Sequence, residues 1–294
     1  MSDTETKILP KTPGQWWLPH LRDVTSQCGE DGVLEAVFQL LPGEKRWCCE
    51  FGAWDGKHLS NTYNLLTNHG WHGVLIEADA RKCVELRQAY ANNSRVIVLN
   101  GMVGFEGDNT LDHILSNTPI PVEFDLISID IDGNDYHVWE ALQSYTPKVV
   151  VIEFNPTIPN NIAFIQEARF NVNHGSSVRS IVDLGKKKGY ELIAVTAFNA
   201  IFVRREYFIS FGIEDNGLAV MRPYSPYETT FYQLFDGTLV LEGCTKMLWQ
   251  NVEMRKESIQ VMPRWLRGFP PTTGGVRGII QKIWRVLYRA GFIT

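Results

Sequence analysis

Nowhere does the 294-residue chain approach the roughly 18 to 20 uninterrupted apolar residues that span a bilayer. Its opening, MSDTETKILPKTPGQWW, has early acids and no apolar core, which argues against a secretory signal. A basic surplus is missing too. With 28 Lys and Arg against 33 Asp and Glu, the net charge is -5, and no nucleic-acid partner is expected. The five cysteines form no C-x-x-C pair, and adjacent Cys48 and Cys49 read as small buried hydrophobes in an apolar run. His20, His58, His69, His72, His113 and His137 show no ligand spacing. With no zinc set and no disulfide framework, the expected setting is reducing and cytoplasmic, at most peripheral to a membrane.

What is present is a chain 44% hydrophobic, enough for a sizeable core. Apolar positions at helical spacing predict a helix over 30–41. Five short apolar runs follow: RWCCEFG (46–52), GVLIEAD (73–79), RVIVLN (95–100), FDLISID (124–130) and KVVVIEFN (148–155). Continuous rather than alternating, they suit strands covered on both faces of a parallel sheet. Helices are expected up to Tyr90, over Asn109–Leu115 with Asp108 or Asn109 as cap, and over Ser176–Lys188. YELIAVTAF (190–198) and AIFVRREYF (200–208) are separated by little more than Asn199, which predicts an antiparallel hairpin at the sheet's edge. The expected fold is α/β, a Rossmann-like, doubly wound sheet of seven strands. Residues 1–25 read as an extension, 26–212 as the ligand-binding domain and 213–294 as an appendage.

Such sheets bind ligands outside the carboxyl ends of their strands, where strand order reverses. The first strand runs into Glu50-Phe51-Gly52-Ala53-Trp54-Asp55-Gly56, a G-x-x-x-G turn without the middle glycine of the dinucleotide fingerprint, so NAD is disfavoured. Glu50 suits an ammonium better than two phosphates, and S-adenosylmethionine offers an α-amino group, a sulfonium and no phosphate. Glu77, 21 positions past Gly56, is placed for ribose hydroxyls. Asn100-Gly101-Met102 supplies a rim for adenine.

EFGAWDG, VLIEAD and DLISIDIDGNDYHVWEAL, preceded by SQCGEDGVLEAVF, resemble the motifs of class I S-adenosylmethionine-dependent methyltransferases, and of the FkbM-like family in particular, over about residues 25 to 205. The resemblance implies cofactor contacts from Glu50, Gly52, Glu77 and Asp130, and from Gln27 and Asn61. Ala53, Asp55, Ala78, Gly101 and Met102 complete the expected set at the same strand ends. The family's usual K-I-D-V-E-G is here Ser128-Ile129-Asp130-Ile131-Asp132-Gly133, with Asp for Glu and no Lys.

A hydroxyl acceptor is a poor nucleophile at neutral pH, so a base or a metal usually assists its methylation. Asp130, Asp132, Asn134 and Asp135 follow the fourth strand, and Glu153 and Asn155 end the fifth. Neighbouring strands lie about 4.8 Å apart, so these groups should meet across the cleft mouth. Three readings stay open. Asp132 or His174, with Glu153, acts as a base; Asp132, Glu153 and Asn155 hold Mg²⁺ or another hard divalent cation; or DGND is a turn and helix cap. The activity expected is O-methylation of a saccharide or polyol, the saccharide being implied by the resemblance. Polar loop residues Asn155, Asn160, Asn161 and Asn173 offer hydrogen bonds to hydroxyls. An N-methyltransferase and a non-catalytic cofactor-binding scaffold of a glycan assembly complex are the alternatives.

No Asp or Glu follows Glu257, whereas Arg264, Arg267, Arg277, Lys282, Arg285 and Arg289 do. Residues 276–290 read as a basic amphipathic helix. Its apolar stripe is expected to pack on the protein's own core or in a homodimer; peripheral membrane contact is the alternative.

Overall fold

The computed structural model describes residues 15–43, 45–246, 252–267 and 275–292. The five apolar runs become β1 (Trp47–Phe51), β2 (His72–Glu77), β3 (Val96–Asn100), β4 (Leu126–Ile129) and β5 (Val149–Glu153), all paired in parallel. Cys48, Cys49, Val74, Leu75, Leu126, Ile127 and Val149–Ile152 are fully buried, because the connecting helices cover both faces of the central strands. β6 (Tyr190–Val195) and β7 (Asn199–Arg204) form the expected antiparallel hairpin, but β7 inserts against β5 and leaves β6 at the edge. The order is β3-β2-β1-β4-β5-β7-β6, a Rossmann-like, doubly wound sheet that reverses between β1 and β4.

The helices of this unit are α1 (Glu30–Leu40), α2 (Tyr63–Thr67), α3 (Ala80–Ala89), α4 (Leu111–Ser116), α5 (Asp135–Ala141), α6 (Val178–Lys187) and α7 (Leu218–Met221). The first turn of α1 anchors the preceding loop, since one Asp31 oxygen accepts from the backbone N–H groups of Val24, Thr25 and Ser26 at 2.8 Å each. Asp79 caps α3 and Ser177 caps α6 through their side chains. The caps expected for α4 are not formed. Asp108 and Asn109 lie in a preceding 3-10 turn, and Thr110 takes the cap position without a capping hydrogen bond. α6 packs closely on the sheet: a Cβ at Gly185 would lie 2.9 Å from the Phe202 ring and 3.0 Å from Trp139.

The chain divides into two compact units, Met1–Tyr224 and Ser225–Thr294. Residues 213–224, read from sequence with the appendage, belong to the first, where Ile213 and Met221 join the core. The second unit holds an antiparallel hairpin, β8 (Thr229–Gln233) and β9 (Leu239–Gly243), then α8 (Lys256–Ile259), a 3-10 turn (Arg264–Leu266) and α9 (Gly275–Arg289). Among the described residues no helix is long and apolar enough to cross a membrane.

At the end of the sheet opposite the cleft, buried Asp125 ties three strands together. It accepts from the Trp47 N–H at 2.9 Å, from Lys148 Nζ at 2.9 Å and from Arg46 at 3.3 Å. Asp125→Ala leaves two half-buried cations without their partner and is expected to cost about 3 kcal/mol. Urea unfolding measures this, and an unchanged midpoint would show that the pairs are dispensable.

Candidate functional site

The cleft opens where β1 and β4 end side by side. Gly52 closes β1 at φ 69°, and a Cβ there would lie 2.1 Å from the Asp130 carbonyl oxygen, so only glycine lets the two ends approach. Gly56 closes the turn at φ 77°, with its carbonyl accepting from the Tyr90 hydroxyl at 2.9 Å.

Two buried glutamates brace this turn. Glu77 accepts from the Trp54 N–H on one oxygen and the Asp79 N–H on the other, both at 2.7 Å, joining the loops after β1 and β2. Each of these oxygens has a second lone pair. Glu50 accepts from Ser60 Oγ at 2.6 Å, Thr62 Oγ1 at 2.7 Å and the Asn61 N–H at 2.9 Å. Burial raises its pKa against the pull of those hydrogen bonds. Asn61, itself buried, donates to Ser128 Oγ on β4 at 3.0 Å. The structure therefore gathers Glu50, Gly52, Asn61, Glu77 and Asp130 around one strand junction. Ala53 is buried with its N–H on the Ile76 carbonyl, while Ala78 and Met102 are exposed at the ends of β2 and β3, and Gly101 is half-buried between them. Asp55 serves its own loop, accepting from the Lys57 and His58 N–H groups. Gln27 is exposed before α1.

Beyond β4 and β5 the acids converge. Asp130, Asp132 and Glu153 each bring a carboxylate oxygen within 4.8 Å of the others. Asp135 lies beside them, accepting from the Ile131 and Gly133 N–H groups at 2.9 Å each and so closing the DGND turn. The turn reading thus accounts for Asp135 and for the bond that Asp130 accepts from the Asp132 N–H, but leaves the Asp132 and Glu153 carboxylates without a structural task. Asp132 stands at φ 55°, a left-handed conformation that asparagine and aspartate tolerate best. Among the described residues no basic side chain pairs with any of the four. Burial, then the charges of Asp135, Asp132 and Glu50, push the Asp130 carboxyl up to about 8. Burial pushes Asp135 up to about 6, against its backbone hydrogen bonds. Burial and the charges of Asp130, Asp135 and Asp132 hold Glu153 well above the usual carboxylate range.

Asn155 does not join them. Its Oδ1 accepts from the Thr157 N–H at 3.0 Å and from Thr157 Oγ1 at 2.6 Å, and its Nδ2 donates to the His174 carbonyl at 2.8 Å. The amide is spent on folding the loop after β5. That loop brings the His174 backbone to the strand end, while its ring packs edge-on against Phe164, 5.4 Å between centroids. Gln166, which the sequence does not single out, is the hub. Its Nε2 donates to Asn134 Oδ1 and the Val172 carbonyl, and its Oε1 accepts from the His174 and Gly175 N–H groups, so all its capacity is used in a buried position. A lone glutamine in a polar loop carries no periodicity or spacing that would have marked it. Asn160, expected to meet acceptor hydroxyls, instead exchanges hydrogen bonds with Arg222.

No protein-family model matches the chain, and no curated protein matches it significantly. Solved structures similar to it include the citrinin polyketide synthase CMeT domain, at 10% identity and a TM-score of 0.38, covering 60% of this chain and 51% of that one. The N-terminal domain of EvdMO1 with SAH bound is similar at 12% identity and a TM-score of 0.42, covering 60% and 80%. The glycopeptide N-methyltransferase MtfA complexed with S-adenosylmethionine is similar at 13% identity and a TM-score of 0.37, covering 64% and 98%. The chain thus spans about half the length of the first of these. None of them singles out the FkbM-like family.

A carboxyl whose pKa is raised on folding binds its proton more tightly in the native state, so stability falls as pH climbs from the unfolded value towards the folded one. In chelator-containing buffer, stability is expected to fall from about pH 4, the unfolded value, through about 8. Asp130→Asn should flatten that slope in urea titrations at pH 5 and 8. An identical slope would mean that Asp130 ionises as an ordinary aspartate.

Proposed function

We propose that the chain is an S-adenosylmethionine-dependent methyltransferase that methylates a hydroxyl of a saccharide or polyol. The observation that carries this is the set of carboxylates without a basic partner beyond the ends of β4 and β5, next to the Gly52 turn. Such a site favours a cation over a phosphate. S-adenosylmethionine, with its sulfonium and ammonium, has that character, and the Gly52 turn brings the backbone close enough to hold it. Glu77 keeps lone pairs for ribose hydroxyls, and Met102 and Gly101 flank the place of the adenine.

The acidic cluster favours an oxygen acceptor, because a neutral amine attacks through its lone pair without a base whereas a hydroxyl needs one to take its proton. Glu153, its proton affinity raised by burial and then by its acidic neighbours, would take the hydroxyl proton, with Asp132 orienting the acceptor from the exposed rim. The same three carboxylates, Asp130, Asp132 and Glu153, form a donor set that fits a hard divalent cation such as Mg²⁺, while the Asn155 amide is engaged with Thr157 and the His174 carbonyl. When bound, the ion would lower the pKa of the acceptor hydroxyl. For a saccharide, the exposed amides of Asn161 and Asn173 and the exposed rings of Phe164 and Phe170 supply hydrogen bonds and an apolar face.

S-adenosylhomocysteine should bind in the micromolar range by calorimetry while NAD does not. Absence of binding to folded protein would sink the cofactor assignment. Asp132→Asn suits the left-handed backbone and is expected to keep that binding while lowering kcat by about 100-fold. Activity lost to chelator and restored by Mg²⁺ supports the ion, and indifference to chelator removes it.

A further inference from the structure

α9 carries two unlike sides. At 3.6 residues per turn, Val276, Ile279, Ile280, Ile283, Val286 and Leu287 share one of them. Arg277, Gln281, Lys282, Arg285 and Arg289 lie on the other. A helix buried in a core would turn the first side inward. Here the polar side makes the attachment: Gly278 is buried, Gln281 Nε2 donates to the Leu266 carbonyl at 2.7 Å and Arg277 donates to the Trp265 carbonyl at 3.1 Å. The apolar side is left open, with Val276 75%, Ile279 59%, Ile283 54% and Val286 65% exposed. The stripe is therefore not a core face of the second unit, contrary to the expectation that it packs inward.

The charge around it says what covers it. Between residue 258 and the last residue there are six Lys and Arg and no Asp or Glu, in a chain whose net charge is -5. A second copy would answer the apolar stripe alone, whereas an anionic headgroup layer answers both the stripe and the cations of this segment. Trp284, on the border between the two sides, stacks at 5.2 Å on Tyr288 of the polar side, and Trp265 beside the helix is 68% exposed. Amphipathic rings on such a border suit the level of lipid headgroups.

We propose that α9 is a surface anchor that lies in the headgroup plane of an anionic membrane, its Ile279–Ile283–Val286 ridge entering the acyl boundary. The full chain should co-sediment with phosphatidylcholine vesicles carrying about 30% phosphatidylglycerol, and far less with phosphatidylcholine alone. About 0.5 M salt should release much of it. Ile283→Glu should abolish binding, and Ile279→Ser should weaken it. Replacing Arg285 and Arg289 together by Gln should lower the partition coefficient about 25-fold, at about fivefold per lost charge. Unchanged unfolding midpoints would show that the variants are folded. A wild-type chain that ignores anionic vesicles overturns the proposal. So does a chain that self-associates in sedimentation equilibrium and is made monomeric by Ile283→Glu without binding vesicles, since the face would then belong to a second copy. Neither outcome bears on cofactor binding.

Discussion

Mutual repulsion among Asp130, Asp132, Asp135 and Glu153 is the constraint around which the first unit is arranged. Their carboxylates gather because β4 and β5 are adjacent and parallel, so both strands deliver their ends to one edge. Collecting like charges in a half-buried place costs free energy. The fold answers only part of that cost, with backbone N–H groups aimed at Asp135 and at Asp130. The remainder is left to protons or to a bound cation, which is why the site's chemistry and its electrostatics are one question. Residues that perform no chemistry keep the acids in place, Asn155 and Gln166 by pinning the following loop and Asn134 by meeting Gln166.

The junction of β1 and β4 depends on a different kind of restriction. Gly52 lacks the atom that would collide with the Asp130 carbonyl, so the Gly-rich turn and the acidic edge share one wall. Glu50 and Glu77 then act from below, each accepting hydrogen bonds from a neighbouring loop rather than standing free in the cleft. A carboxylate engaged in this way is held in one orientation, a requirement for any group that must meet ribose hydroxyls or an ammonium repeatedly in the same geometry. The second unit shows the opposite economy. Its last helix gives its polar side to a short 3-10 turn and leaves the apolar side open.

Much of the sheet was legible in the residues themselves. Runs such as Val149–Ile152, short and β-branched, suit strands buried on both faces, and Gly52 and Gly56 supply the positive φ of a sharp turn. The spacing from Gly56 to Glu77 likewise follows from the length of the α2 helix and the β2 strand that lie between them. The β8–β9 hairpin leaves little trace in the sequence although Asp236-Gly237 is a good hairpin turn, because its strands are short and mostly exposed and so show no buried pattern. The cap of α4 is not fixed locally, because three consecutive residues, Asp108, Asn109 and Thr110, are all able to cap, and only the chain's path selects among them.

The sequence by itself determined the strands, the glycine turn, the acids at the strand ends and the two-sided character of the tail, since each depends on near neighbours along the chain. Tertiary structure alone decided that Asp130 rather than Asn155 joins Asp132 and Glu153, because a side chain's partners come from the strand beside it and the loop above it. It also decided that Gln166 is a hub and that the tail helix attaches by its polar side. Both depend on which backbone carbonyls and N–H groups the fold leaves unpaired nearby, and that information is not contained in any local run of residues.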